Sequence, residues 1–511
     1  MNDFVTRSSV LPDAVRPSAP GMARPVKLGL IVSFLLLVLL GSVISLAASN
    51  LISRYGMPIV VALTLLAPPT LVYVAWSCSR GYSKLKVLWR QLRWYHALWL
   101  FVLASSFVIR LRTVGSLQSN PLDAAALYRV VLVATTASVL LVRLVLRRTN
   151  WMSSMFRGLV LIMTIFALMC TLSTIWSINA PFTLYKSLEY LNDVALLAAI
   201  LVTIRSIEAF EALFDWTWFL IGLLVVSAWV EAPIWPHEAL EEGYMAGILK
   251  VRLTGIFPGQ GSNGLGSFGA VIAMVAFARL WPVAGRKFDK LWYSFVFLLG
   301  VATMVFTQTR AAMAGFVIGA LLVLLFTQRV GKSLAVGIFA TVLLAMTGLG
   351  STILAFLQRG QSRAEVLSLT GRVQWWAVAW DVFKQRPFSG CGAFAAPFAV
   401  WGKMGEEGFG PLHSDYVETL VGNGILGPLP IIIGVVATWW ILMRFLRHLP
   451  PGSMERQLAV ESLAVLAIVT TRSAVMNLII FHPPVHYFVI LGYAEYLRRR
   501  AASRPGPAPE G

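Results

Sequence analysis

Arg252, Arg310, Arg372 and His413 are the side chains of this 511-residue sequence whose types and settings point most directly to chemistry. Arg252 sits in Val251-Arg252-Leu253-Thr254-Gly255-Ile256-Phe257, just ahead of a glycine-rich stretch. Arg310 ends Thr307-Gln308-Thr309-Arg310, a polar plug between two apolar runs. Arg372 lies in Thr370-Gly371-Arg372, and His413 opens His413-Ser414-Asp415-Tyr416. A guanidinium stays charged, and its planar fork gives paired hydrogen bonds to phosphate oxygens. Imidazole, with an ordinary pKa of about 6.5, suits proton transfer near neutrality. Together these types describe a site that grips an anion and moves a proton. Plainer uses exist for each. Arginines at a membrane boundary also bind headgroups or snorkel, and a histidine at a helix start also serves as a cap.

Other polar residues have weaker patterns. Lys186, Glu189 and Asp193 fall within one apolar run, where charge is costly unless partnered; a mutual ion-pair network is the expected use. His482 and His486 have the spacing of a helical metal pair, but Pro483-Pro484 interrupts a helix there, so they read as turn residues. No paired-carboxylate motif such as Asp-x-Asp stands ready for a divalent ion. Glu406-Glu407 comes nearest and reads as solvated loop charge. Cys78, Cys170 and Cys391 lack metal-type spacing. No metal or cofactor is expected.

The elements that must position these residues are membrane helices. Hydrophobic residues make up 58% of the chain and charged ones 13%, about half the charge of a soluble domain. A bilayer-spanning helix needs ~20 mainly apolar residues. Such runs occur near 26–49, 57–77, 94–110, 124–146, 157–177, 184–204, 212–232, 264–283, 291–309, 311–328, 332–357, 415–443, 459–480 and 485–498. The expectation is an all-α polytopic membrane protein with a bundle of roughly 12–14 transmembrane helices, because lipid forces backbone hydrogen bonds to close locally. Residues 1–25 form a polar tail, 26–357 about eleven spans, 358–414 a large outer loop containing short helices, 415–498 the last spans and 499–511 a second tail.

Basic residues orient the chain. With both termini in the cytoplasm, 27 of the 42 basic residues fall inside, including every dense cluster such as Arg80–Arg93 and Arg498–Arg500. The net charge of +19 is therefore a topological signal, and nucleic acid is not an expected partner. Two segments stay large outside, 233–263 and 358–414. Arg252, Arg310, Arg372 and His413 all lie on that side. Within the longer loop, Val373, Trp376, Trp380 and Phe383 recur at helical spacing. Thr370 is the expected cap of this helix and Pro387 its end. Its tryptophan-bearing face predicts either interfacial placement or packing on the bundle top.

The segment 370–427 runs Thr370-Gly371-Arg372, Trp376, Phe383 to Pro387, Gly390-Cys391-Gly392, His413-Ser414-Asp415-Tyr416 and Gly422-Asn423-Gly424-Ile425-Leu426-Gly427. It resembles the shared domain of O-antigen ligases, O-antigen polymerases and related exopolysaccharide polymerases. Trp176-Ser177 through Leu188, Arg252 through Phe257 with Asn263, and Thr307 to Gly315 are similar to that family too, so the resemblance spans about 160–445. It implies transfer of a glycan from a polyprenyl-pyrophosphate donor at the periplasmic face of a bacterial inner membrane, without a metal. By motif, Arg252 and Arg310 would hold the pyrophosphate, Arg372 would assist, and His413 would be the general base. Many relatives carry Asn where this sequence has Asp415, which bears on the geometry around His413.

A ligase attaching a polymerised glycan to lipid A–core is the leading reading, and direct attack by the acceptor would invert the anomeric carbon. A polymerase extending a second lipid-linked glycan shares the same donor chemistry, as does protein O-glycosylation. A transporter or flippase would instead require ionisable residues and broken helices near mid-membrane. The unexplained charges here stand at the outer rim.

Overall fold

The computed structural model describes residues 57–108, 124–146, 149–242, 249–257, 259–327, 349–362, 371–404 and 411–502, apart from a few single positions. The tail 1–25, the run 26–49, most of the run 332–357, Thr370, Glu406-Glu407 and the tail beyond Ala502 lie outside the described residues. The chain divides into two compact units, Met1–Ser79 and Arg80–Gly511. The first is described only as the opening of α1 (Met57–Arg90); the rest of α1 and every later element belong to the second.

Helices dominate, as the apolar runs require. In order come α2 (Trp94–Ala104), α3 (Ala124–Leu146), α4 (Trp151–Met155), α5 (Gly158–Leu172), α6 (Ala180–Thr203), α7 (Ile207–Ile234) and α8 (Pro236–Ala239). Four short strands come next: β1 (Leu240–Glu242), β2 (Val251–Leu253), β3 (Gly255–Ile256) and β4 (Gly259–Gln260). Then come α9 (Ser262–Leu280), α10 (Lys290–Thr307), α11 (Arg310–Phe326), α12 (Leu349–Gln358), α13 (Arg372–Gln385) and α14 (Ala396–Met404). The chain ends with α15 (Asp415–Asn423), α16 (Leu429–Leu446), α17 (Met454–Ser473) and α18 (Val485–Ala502). Among the described residues, six helices are long and apolar enough to cross a membrane, and the strands form two antiparallel ribbons, β1–β2 and β3–β4. The protein is an all-α polytopic membrane protein.

Two expected spans are broken. The run 415–443 splits into α15 and α16, because Gly424 takes a φ of +72° and the chain turns before Pro428. The run 459–480 ends as helix at Ser473, and residues 474–484 form a half-buried turn instead.

Small residues let the central helices touch backbone to backbone, as association without a hydrophobic drive requires. A Cβ on Gly300 of α10 would stand 2.6 Å from the Gly269 carbonyl oxygen of α9, and one on Gly319 of α11 2.6 Å from the Ala464 oxygen of α17. At the far end of α9, buried Arg279 donates to Glu461 of α17 (2.9 and 3.0 Å), Asp215 of α7 (2.5 Å) and the Tyr293 hydroxyl of α10 (2.7 Å). One guanidinium thereby joins four helices. Breaking a buried pair from one side costs about 3–5 kcal/mol, because a charge is left without its counterpart. Arg279→Met is therefore expected to lower the melting temperature in detergent markedly. The double variant Arg279→Met with Glu461→Met is expected to recover part of the loss.

Candidate functional site

The site begins at the junction of α10 and α11. Thr307, Gln308 and Thr309 are all buried. Gln308 closes α10 with a left-handed backbone (φ +53°) and donates its side-chain amide to the carbonyls of Leu249 (3.0 Å) and Val251 (3.2 Å). Thr309 donates to the Ser262 carbonyl at the start of α9 (3.1 Å). The polar plug thus fastens three chain segments together, and Arg310 emerges from it as the first residue of α11. Its guanidinium donates to the Leu357 carbonyl (3.3 Å) and Gln361 Oε1 (2.9 Å).

Arg372 is the first residue of α13, behind Gly371, which caps the helix with φ +84°. The glycine, rather than Thr370, occupies the capping position. Burial, and then the Arg310 charge, lowers the pKa of Arg372. Ala379, Val382 and Phe383 are buried, packing against Cys391, Val400 and Leu412 of the segment that follows α13. Val373 and Trp380 stay exposed. Of the apolar face read from the sequence, Phe383 packs inward, beside Ala379 and Val382.

His413 is constrained from both sides. Leu412 accepts from Trp376 Nε1 (2.9 Å) and donates its N–H to Glu418 Oε2 (3.0 Å). Ser414 caps α15 by accepting from Val417 N–H. Asp415 accepts the backbone N–H groups of Leu478 (3.1 Å), Ile479 (3.1 Å) and Ile480 (3.3 Å). Between these anchors His413 is forced to φ +54°, a conformation that costs a non-glycine residue about 1–3 kcal/mol. Its ring lies 5.7 Å from that of Trp375, and its Nδ1 is buried with no hydrogen-bond partner. Burial first, then the charges of Arg372 and Arg472, push its pKa down to about 4. At neutral pH it is an uncharged imidazole among cations.

Arg472 was not anticipated from sequence. Buried at the end of α17, it donates to Ser267 Oγ (2.9 Å), the Asn263 carbonyl (2.8 Å) and Met476 Sδ (2.6 Å), all neutral. The charges of Arg359 and Arg372 act on it. Among the described residues, no carboxylate lies within 4 Å of Arg372 or Arg472. An arginine inside the run 459–480 was the available signal, since intramembrane charge is costly.

Arg310, Arg372 and His413 are thus brought into one electrostatic neighbourhood, with Arg472 and Arg359 added. Arg252 is held differently. It lies on β2 opposite Glu241 of β1 and pairs with it at 3.0 Å; both are partly exposed. Gln308, through its bond to the Val251 carbonyl, keeps this ribbon beside the Arg310 turn.

The glycine motifs build the frame. Cys391 N–H donates to the Val421 carbonyl (3.0 Å) and Gly392 N–H to that of Gly422 (2.9 Å). Gly390 (φ +66°) and Gly424 (φ +72°) press against opposing backbone, where a Cβ would collide. Trp176 Nε1 donates to the Ser389 carbonyl (2.7 Å), and Ser173 Oγ accepts from Ala393 N–H (2.9 Å), so the segment after α13 is fastened to the end of α5.

The remaining polar residues divide. Glu189 pairs with Lys186 (2.8 Å) and Arg129 (2.9 Å). Asp193 instead meets His482 Nδ1 at 2.6 Å, and His482 Nε2 lies 3.1 Å from Ser105 Oγ. His482 is therefore a buried anchor of the 474–484 turn, and His486 lies in α18 stacked on Phe268. The turn that serves Asp415 is itself pinned at its other end. Asn at position 415 would present one amide N–H₂ toward these N–H donors. Asp415→Asn is expected to speed amide hydrogen exchange at Leu478–Ile480 at least tenfold, as read by mass spectrometry.

No curated protein matches the chain. Residues 295–432, which carry the Thr307–Arg310 plug, Arg372 and His413, match the family described as O-antigen ligase. With guanidinium groups, a neutral histidine and the glycine clasp now placed within that stretch, the chain is recognised as carrying the O-antigen ligase family domain.

Proposed function

We propose that the protein transfers a glycan from a polyprenyl-pyrophosphate carrier to an acceptor hydroxyl, as a ligase acting on lipid A–core at the periplasmic face of a bacterial inner membrane. The observation that supports this reading most is the company His413 keeps. An uncharged imidazole beside Arg372 and Arg472, with Arg310 acting on Arg372, suits a reaction that needs a base next to a developing diphosphate.

In the proposed step the acceptor oxygen attacks the anomeric carbon as the bond from that carbon to the pyrophosphate oxygen breaks. The configuration inverts. The hydroxyl proton passes to His413, and the electron pair leaves with the polyprenyl pyrophosphate, whose added negative charge Arg310, Arg372 and Arg252 neutralise. Preorganised cations stabilise such developing charge strongly, and no metal is needed for the step. A positioned base contributes about 10²–10⁴-fold. Trp375, 5.2 Å from Trp401 and adjacent to His413, offers an aromatic face to the sugar.

Binding of the donor also tunes the base. Burial first, and then the charges of Arg372 and Arg472, hold the pKa of His413 near 4, so a diphosphate that neutralises those two cations would raise its basicity. Two measurements test the reading. Purified protein reconstituted with a polyprenyl-pyrophosphate glycan, lipid A–core and a chelator is expected to form the core-linked product. Lengthening of the donor glycan alone would redirect the assignment to a polymerase, and neither product would count against an enzyme. In that assay Arg310→Ala and His413→Ala are each expected to reduce transfer at least a hundredfold with membrane insertion intact; normal activity in both would remove the site. The acid limb of kcat/KM, which reports the free enzyme, is expected near pH 4, and that of kcat at higher pH. Coincident limbs near pH 6.5, the ordinary imidazole value of about 6.5, would contradict the assigned base.

A further inference from the structure

A second feature lies at the opposite end of α9. From Ser262, beside the arginine cluster, to Arg279 the helix advances about 26 Å at ~1.5 Å per residue. There the end of α1 meets α7, α9 and α10 around a groove of about 180 Å³, open along one side and walled by Leu85, Phe219, Leu223, Val275, Val296 and Leu299. Along α7 the lining runs from Asp215 to Val226, about 16 Å at ~1.5 Å per residue. That is about half of the ~30 Å hydrocarbon thickness, the depth of one leaflet.

One end of the groove opens into a polar mouth containing Arg80, Lys84, Glu211, Asp215, Arg279 and Asp289. Several of these charges are already committed. Arg279 is held by Asp215 and Glu461, and Asp289 caps α10 by accepting from Trp292 N–H. Lys84 Nζ sits 4.2 Å above the Tyr293 ring. Among the described residues, Arg80, Lys84 and Glu211 have no ion-pair partner within 4 Å. The mouth thus keeps two cations and one carboxylate unspent, above an apolar slot one leaflet deep.

A ligand matching this pattern carries a phosphate, an ammonium and a long apolar chain. We propose that the groove holds one glycerophospholipid with a phosphoethanolamine headgroup, its phosphate on Arg80 and Lys84, its ammonium on Glu211 and an acyl chain along α7. A purely anionic headgroup would leave Glu211 facing negative charge, and so would a polyprenyl phosphate. On the orientation proposed from the basic residues, this is the cytoplasmic leaflet, distant from the donor site.

Glycines shape the slot. Gly81 lets α1 lie directly on the Trp292 ring, with no room for a Cβ. Gly222 is the reverse case: a Cβ there would meet nothing within 4 Å. Gly222→Trp therefore fills the groove without an initial clash. Native mass spectrometry of the full chain would titrate phosphatidylethanolamine, phosphatidylglycerol and polyprenyl phosphate separately. One tightly held phosphatidylethanolamine is expected, with affinity at least tenfold lower in Gly222→Trp. Lys84→Glu leaves the apolar walls intact and keeps the test open should tryptophan impair folding; it too is expected to weaken phosphatidylethanolamine binding at least tenfold. Unchanged affinity in the variant that folds, or preference for phosphatidylglycerol or polyprenyl phosphate in the unmodified protein, would overturn the proposal.

Discussion

Like charges held close together repel, and where Arg310, Arg372 and Arg472 gather in this helix bundle the repulsion is built in. Arg310 acts on Arg372, Arg372 and Arg359 act on Arg472, and burial, reinforced by Arg372 and Arg472, keeps His413 uncharged. Two like unit charges 4 Å apart repel by about 4 kcal/mol at an effective dielectric of about 20, and by less as their separation grows. A fold keeps such an arrangement only when other interactions over-determine it. A polyanion entering the cluster would relieve the repulsion of several pairs at once, which is why a diphosphate fits better than a single carboxylate.

The rest of the structure can be understood as what holds these cations in place. Arg310 is fixed by the buried Thr307–Thr309 plug, which bonds to the start of α9 and to the β2 segment. Arg472 is fixed by the carbonyl and hydroxyl oxygens of α9. His413 is fixed by hydrogen bonds to Leu412 on one side and to Asp415 on the other. The 474–484 turn then ties Asp415 to the His482–Asp193–Ser105 chain deep among α2 and α6. Strain at Gln308 and His413, both left-handed, is concentrated where the charges converge. A site held this firmly has little left to reorganise when the charge of a transition state develops.

The helical class and the helix over 372–385 were legible in the sequence, because each rests on a local pattern of length or period. What was not legible depended on distant partners. Arg472 looks like one more basic residue until Asn263 and Ser267 are seen beneath it. The same holds for Asp415, whose departure from the Asn of many relatives is met here by three backbone donors from a turn more than sixty residues away. His482 reads as a turn residue, and the turn is real, yet its role comes from Asp193 on another helix. In α13, Phe383 of the apolar face packs inward together with Ala379 and Val382, two small residues that the spacing of the large side chains did not mark. Glycine motifs such as Gly390-Cys391-Gly392 were visible as motifs, but only the opposing backbone at Val421 and Gly422 explains them.

On the proposed function, burial and the charges of Arg372 and Arg472 keep His413 neutral until a diphosphate binds and offsets those charges. Titration of the His413 imidazole by nitrogen-15 NMR, in protein labelled at histidine, follows that coupling without relying on turnover. A pKa near 4 is expected in the free protein, with a rise of at least one unit when a polyprenyl pyrophosphate is bound. An ordinary value of about 6.5 in the free protein, or one that does not move with the ligand, would contradict it.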